Sequence, residues 1–316
     1  MTETLEATPR HTDDTQARAS HLRSTVAAIR LVFTWLGTRK TLTSEQKHQA
    51  ASTFDADQTA ITASKRLLDA KHPAMAAVNR IRSRATKFWK DHSLPFPEPG
   101  IRLIRHDAIE QFDRQINEFR TELDNSVQEL EQHYQEMRDA ARERLGTLYN
   151  ASDYPVTLIG AFGIEHSFPA IEAPDYLRQL NPAVYEQECQ RVQAQFSEAV
   201  ALTEQMFFDQ LSGLVDHLVD RMSGTEDGRP KAFRDSTIDN LNEFFSRFRR
   251  LNVVGNEELE QLVKRARRVV RGIKPQQLRD NSSLRQHVAS QMSTVQATLD
   301  GLMVDRPRRN IVRRPR

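Results

Sequence analysis

Apolar side chains recur at intervals of three and four between residues 109 and 148. Their mean spacing lies between the roughly 3.5 residues of a supercoiled seam and the roughly 3.6 residues of a straight helix. This pattern predicts one long helix with an apolar stripe on one side and an acidic, solvent-facing opposite side. The stripe consists of Ile109, Phe112, Ile116, Phe119, Leu123, Val127, Leu130, Tyr134, Met137, Ala141, Leu145 and Leu148.

A second helical stripe of similar length occupies residues 183–222. Two helices of matching length joined by one compact insert most simply fold back on each other. Residues 106–224 are therefore predicted to form a long antiparallel helical hairpin in which each helix covers the other's stripe. The insert, residues 150–182, is rich in proline and glycine and is predicted to be an irregular tip, with a candidate strand at residues 156–159.

The N-terminal part of the chain predicts smaller elements. Residues 1–24 are polar, and we expect a disordered arm. Apolar and polar residues alternate in residues 29–36, which predicts a strand, and a helical spacing follows between Pro73 and Trp89. Residues 25–105 are therefore predicted to form a small α+β unit.

The C-terminal part shows several shorter helical stripes in residues 225–303, which indicates a helical bundle. Asn256 is placed to cap one of these helices, with Glu257 and Glu258 in its first turn. Residues 304–316 are predicted to be a basic tail. The predicted fold class is mainly α: a long antiparallel helical hairpin with an irregular or β tip, a small N-terminal α+β unit and a C-terminal helical bundle.

Charge is distributed unevenly along the chain. The net charge is only +2, but residues 247–316 contain 17 Lys and Arg against 6 Asp and Glu. Such asymmetry predicts a charged partner for the basic end. Cys189 is the single cysteine, which excludes an intramolecular disulfide framework and a multi-cysteine metal site. The polar start shows no secretory signal pattern, so we expect a cytoplasmic protein.

The motifs of the commonest enzyme classes are missing from the sequence. It contains no phosphate-binding loop, glycine-rich dinucleotide turn, HExxH motif, nucleophile elbow or EF-hand loop. The 10 histidines include no pair at the spacing that places two metal ligands on one helix face. We therefore expect a non-enzymatic protein without a cofactor or metal.

Two surfaces are candidates for binding. The apolar side chains of the insert predict a partner-binding tip, with membrane insertion of this tip as the weaker alternative because the segment is short for a spanning helix. The basic residues of the C-terminal third predict phosphate binding, with simple complementation of a helix dipole as the alternative. The tip residues are Tyr154, Leu158, Phe162, Ile164 and Phe168; the basic residues are Lys264, Arg265, Arg267, Arg268, Arg271, Arg308, Arg309, Arg313 and Arg314.

Several short motifs carry a family resemblance. They are Trp35-Leu36-Gly37-Thr38-Arg39-Lys40, Ser64-Lys65-Arg66-Leu67-Leu68-Asp69, Tyr154-Pro155 and Phe233-Arg234-Asp235-Ser236-Thr237 before Leu251-Asn252. Through them, most of residues 28–300 resembles an uncharacterised helical protein family of phage and bacterial genomes. That family is often encoded beside MoxR-type AAA+ ATPases and von Willebrand A-type proteins, and the resemblance implies an ATPase as one candidate partner.

The leading functional hypothesis is an adaptor or assembly protein that acts through protein–protein contacts, with a MoxR-type AAA+ ATPase or further copies of itself. It follows from the long apolar stripes and the missing catalytic motifs. The alternative is a nucleic-acid-associated protein that binds phosphates through its basic C-terminal third. A membrane-active hairpin is the third hypothesis.

Overall fold

The computed structural model describes residues 10–223, 225–226, 229–230, 236–253 and 255–304, and it is mostly helical, which confirms the predicted mainly α class. The helices are α1 (Arg10–Thr25), α2 (Ser44–Ser52), α3 (Pro73–Asp91), α4 (Ile109–Gln132), α5 (Tyr134–Leu145), α6 (Asp175–Leu180), α7 (Pro182–Ser223), α8 (Ser236–Leu251), α9 (Glu257–Val270), α10 (Pro275–Asp280) and α11 (Ser282–Val304). The strands are β1 (Val26–Thr34), β2 (Arg39–Thr41), β3 (Ser64–Arg66), β4 (Leu94–Pro95), β5 (Ile101–Arg105), β6 (Gly163–Ser167), β7 (Thr225–Glu226) and β8 (Arg229–Pro230).

The chain divides into two compact units that are interleaved along the sequence. The first unit takes its described residues from 1–28, 93–106 and 170–316, and the second comprises residues 29–92 and 107–169. The domains predicted from the sequence are consecutive segments of the chain, whereas each of these units combines segments that are distant in sequence. A hydrophobic pattern marks elements along the sequence, but it carries no record of which distant segments pack into the same core.

In the second unit, the predicted stripe of α4 is buried, and it packs against α3. Phe88 of α3 stacks on Phe112 at a centroid distance of 5.4 Å and meets the edge of Phe119 at 5.9 Å. His133, with φ −94° and ψ −3°, separates α4 from α5, so the predicted long helix is interrupted there. The apolar stripe of α4 is thus buried against α3, a helix that precedes it in the chain.

In the first unit, the long helix α7 packs against α1, α8 and α11. Phe207 lies edge-on to Phe248 at 4.9 Å, and Phe196 lies edge-on to Phe96 at 5.8 Å. The prediction that the two long helices cover each other's stripes is therefore corrected, since each packs on other helices of its own unit. A helical repeat specifies which face is buried but does not specify the partner.

The predicted disordered arm is helical from Arg10 onward. Helix α1 buries Ala19 and Leu22 in the core of the first unit, and it packs against α7. Arg18 donates to Glu204 of α7 at 2.9 Å, and Arg23 forms a two-pronged ion pair with Glu172. Two buried apolar side chains and two ion pairs hold this helix in place. Two apolar positions are too few to produce a helical hydrophobic repeat that could be recognised in the sequence. Residues 1–9 of the predicted arm lie outside the described residues.

The insert contributes a strand to the second unit. Strand β6 pairs antiparallel with β1, in a register that places Arg30 opposite Ser167 and Thr34 opposite Gly163. The candidate strand at residues 156–159 was wrong, because that segment is irregular and Val156 is 92% exposed. The insert is therefore anchored to a sheet rather than projecting as an independent tip.

Helix α9 begins at the predicted cap. The side-chain oxygen of Asn256 accepts from the backbone N–H of Leu259 at 2.9 Å, and its amide donates to Glu204 at 2.8 Å. Both Asn256 and Glu204 are buried. One side chain therefore satisfies a helix terminus and a buried carboxylate at once.

Replacing Asn256 by alanine is expected to lower the free energy of unfolding of the first unit by about 2 kcal/mol, because it removes the cap and one donor to a buried carboxylate. Asn281→Ala is the matched control, since Asn281 caps α11 at Leu284 with the same 2.9 Å geometry but is exposed. Urea denaturation of both variants measures the difference. Equal losses would show that the contact with Glu204 adds nothing.

Candidate anion-binding groove

Helices α9 and α11 leave an open groove of ≈ 550 Å³ between their exposed sides. The two helices pack through apolar faces that include Leu262 and Ala266 on α9 and Met292 and Val295 on α11. Their polar sides therefore line the groove from both walls. The lining residues are Arg265, Arg268, Val269, His287, Gln291 and Thr294.

The groove presents nitrogen donors from both walls. Arg265 and Arg268 are three residues apart on α9, so they lie on the same face of that helix, and each guanidinium offers a planar fork of N–H donors. The imidazole of His287 and the amide of Gln291 face them from α11. The Thr294 hydroxyl donates to the carbonyl of Ser290 at 3.2 Å. Convergent donors of this kind suit an oxyanion.

The groove arginines have no acidic partner among the described residues, whereas Lys264 pairs with Glu260 at 3.1 Å. The acids of α9 lie in its first turn, and its arginines lie in the second half. The separation leaves the groove end of the helix strongly positive. An incoming anion would thus meet cations that are already solvent-exposed and unneutralised.

The structure sorts the predicted phosphate-binding residues into three groups. Arg265 and Arg268 line the groove, while Arg267 and Arg271 are exposed beside it and Lys264 is held by Glu260. The predicted tail residues lie outside the described residues; they are Arg308, Arg309, Arg313 and Arg314.

Residues of α11 were missed by sequence reasoning. His287, Gln291 and Thr294 recur at intervals of four and three, on the face of α11 next to the buried stripe of Val288 and Met292. That spacing predicts one polar face of a helix, but polar faces are common on surface helices. Only the packing of α11 beside α9 gives this face a basic neighbour.

Most of the predicted partner-binding tip lies inside the core of the second unit. The hydroxyl of Tyr154 donates to the carbonyl of Leu67 at 3.2 Å, and burial raises the pKa of this phenol. Phe168 is 45% exposed, and the insert has further exposed large apolar side chains at Val156, Ile159, Tyr176 and Leu180. The buried members of the predicted set are Tyr154, Leu158, Phe162 and Ile164.

His166 in β6 forms a second polar cluster. Its Nδ1 lies 3.4 Å from the Arg120 guanidinium, and its Nε2 lies 3.3 Å from an Asp113 carboxylate oxygen. Because arginine can only donate, Nδ1 accepts and Nε2 carries the proton that faces Asp113. Burial and Arg120 lower the pKa of His166, while Asp113 opposes them. The imidazole is half-buried and has a partner at each ring nitrogen, and a free catalytic base is not indicated.

A wider depression of ≈ 730 Å³ runs along α4, but it is a poor match to an anion. Its acidic lining includes Glu110, Asp113, Glu118 and Glu122. Glu122 pairs with Arg84 and Glu110 with Arg114. The face is thus the predicted acidic side of α4, partly neutralised by neighbouring cations.

Comparisons with known proteins give no relative from which to transfer a role: no family model, no curated protein and no solved structure matches the chain. Within the described ranges, no group of three or more His, Cys, Asp or Glu side chains is arranged to hold a metal ion. In that same part of the chain, no helix combines the length and apolarity needed to cross a membrane. The groove between α9 and α11 is therefore the site on which function is inferred.

Proposed function

We propose that the chain binds the phosphate backbone of nucleic acid through the groove between α9 and α11. The observation that carries this proposal is the pair of groove arginines, Arg265 and Arg268, which form no ion pair among the described residues. Guanidinium groups bind phosphate oxygens in a bidentate manner. The amide of Gln291 and the imidazole of His287 add donors from the opposite wall.

The composition of the groove favours backbone contact over base recognition. Among the described residues that line it there is no Phe, Tyr or Trp, so the groove lacks the large aromatic platforms on which bases usually stack. Phosphate contacts position a protein on nucleic acid without reading its sequence. We therefore expect binding that depends little on base sequence.

Cations beyond the groove add to its positive field. Arg267 and Arg271 are exposed beside Arg268, and residues 247–316 as a whole hold 17 basic against 6 acidic residues. A field of one sign raises the association rate of an oppositely charged polymer. The helix dipole also favours cations in the last turn of α9, yet that effect stabilises the helix without requiring a second wall of donors on α11.

Replacing Arg265 and Arg268 together by glutamine is expected to weaken nucleic-acid binding by more than about tenfold at about 50 mM salt, because two charge-assisted phosphate contacts are lost. Fluorescence anisotropy with labelled duplex DNA and single-stranded RNA measures the affinity. Arg80→Gln with Arg178→Gln removes the same charge from two other exposed arginines and should change it much less. Undetectable binding by the unmodified chain at low salt, or equal affinity of the groove variant, would refute the proposal.

A second candidate function is that of a protein adaptor. Tyr176 and Leu180 lie four residues apart on α6 and are exposed by 63% and 78%, and Val184 at the start of α7 is exposed by 37%. Exposed apolar side chains of this kind suit a protein partner. The family resemblance implies an AAA+ ATPase, and further copies of the chain are the other candidate partner. The salt dependence of binding distinguishes the two functions, because apolar contacts with a protein persist at salt concentrations that disrupt contacts with phosphates.

A further inference from the structure

Strands β2 and β3 form a short two-stranded ribbon in the second unit. Its register places Arg39 opposite Arg66 and Lys40 opposite Lys65. Like charges placed directly opposite each other destabilise strand pairing. Two such pairs in one short ribbon would therefore be stabilised by anions placed beside them.

The lysine pair has its anion within the protein. The two carboxylate oxygens of Asp153 lie 2.6 Å from the Lys40 and Lys65 ammonium nitrogens. Lys65 is buried and also donates to the carbonyl of Leu148 at 2.7 Å. Repulsion across this face of the ribbon is thus removed by one shared carboxylate.

The arginine pair lies on the opposite face, because successive residues of a strand alternate between faces. Thr41 pairs with Ser64 two residues along the ribbon from the Arg39–Arg66 pair. Thr41 and Ser64 therefore lie on the same face of the ribbon as Arg39 and Arg66. All four of these residues are exposed. None of them has a side-chain hydrogen bond or ion pair within the part of the chain that the structure describes.

We infer that this outer face, made by Arg39, Thr41, Ser64 and Arg66, binds a phosphate group. Two guanidinium forks supply charge and bidentate geometry, and two hydroxyls supply further donors, which suits a compact tetrahedral dianion. The lysine–aspartate contacts fix the register of the ribbon, so the backbone positions of the four donor residues are set before a ligand arrives. Arg39 and Arg66 also belong to two of the motifs that carry the family resemblance.

This site belongs to the second unit, whereas the groove belongs to the first. The two sites also differ in the ligand that they suit. The groove runs along two helices and fits a polymer backbone, while the ribbon face is four residues in size and fits a single phosphate. Phosphate binding at the ribbon can therefore be tested separately from nucleic-acid binding at the groove.

Isothermal titration with inorganic phosphate tests the inference on the full chain. We expect saturable binding that weakens by at least about tenfold in Arg39→Gln/Arg66→Gln, and by a smaller factor in Thr41→Val/Ser64→Ala, because charged donors contribute more than neutral ones. The Arg80→Gln/Arg178→Gln variant should bind as the unmodified chain does. A mononucleotide with a 5′-phosphate then shows whether the site also accepts a phosphate monoester or takes the free ion alone.

A stability measurement guards against a variant that simply misfolds. In phosphate-free buffer, Arg39→Gln/Arg66→Gln should be at least as stable as the unmodified chain, because opposed guanidinium charges have been removed. Added phosphate should raise the melting temperature of the unmodified chain by more than that of the variant, which keeps only the groove as a phosphate site. Absence of saturable phosphate binding, or identical affinity in the arginine variant, overturns the inference.

Discussion

Replacing Asp153 by asparagine is expected to lower the free energy of unfolding of the second unit by about 3 kcal/mol, the cost typical of breaking a buried ion pair from one side. The side chains of Asp153 and Lys65 are only 3% and 5% exposed. Asparagine keeps the shape but not the charge. It would leave Lys65 buried beside Lys40 with no carboxylate to offset either ammonium group.

Urea denaturation compares this variant with Glu122→Gln. Glu122, like Asp153, is a carboxylate in an ion pair, but its side chain and that of its partner Arg84 are 43% and 51% exposed. An exposed pair contributes less than about 1 kcal/mol, so the control should change stability little. If Asp153→Asn lost no more than Glu122→Gln, the ion cluster would not be what holds the ribbon to the insert.

The same carboxylate should give the second unit an acid-dependent stability. Burial by itself raises the pKa of Asp153, but hydrogen bonds from Lys40 and Lys65 outweigh it and leave the pKa below its usual value. The unfolded chain, with a carboxyl pKa near about 3.9, then takes up the proton first as pH falls. Stabilisation is complete above that pKa and is lost as pH drops through the folded value. Asp153→Asn should lose this part of the acid dependence.

Local elements were predictable because local spacing encodes them. The apolar stripe of α4, the helix that follows Pro73 and the cap at Asn256 all agree with the structure. In each case the signal lies within a few turns of one helix, where periodicity and cap chemistry decide the outcome. The helical fold class follows from the same signals.

Long-range packing was not predictable from these patterns. Helix α4 packs on α3, and α7 packs on α1 and α11, although stripe lengths alone suggested that α4 and α7 would pair. Helix α1 is held by a few buried apolar side chains and ion pairs to distant residues, which no periodic pattern reports. Tertiary contacts, rather than local propensity, decide such elements.

The candidate sites show the same division. Arg265 and Arg268 were predicted from the basic run on α9, but the facing donors His287 and Gln291 come from a helix whose polar face looks ordinary in sequence. The ribbon face needs the pairing of β2 with β3, which joins segments separated by a helix and a loop. The sequence therefore indicated the residues on one side of the groove, and only the fold showed which residues lie across from them.

The salt dependence of duplex DNA binding reports how many phosphates the chain contacts, so the change in this dependence on removing the groove arginines tests the proposed function most directly. Each phosphate contact adds about 0.9 to the slope of log affinity against log salt. Arg265→Gln/Arg268→Gln is expected to reduce that slope by about 2, as two lost phosphate contacts require. The Arg80→Gln/Arg178→Gln control should keep the slope of the unmodified chain. Parallel lines for the groove variant and the unmodified chain would show that α9 and α11 do not hold the phosphate backbone.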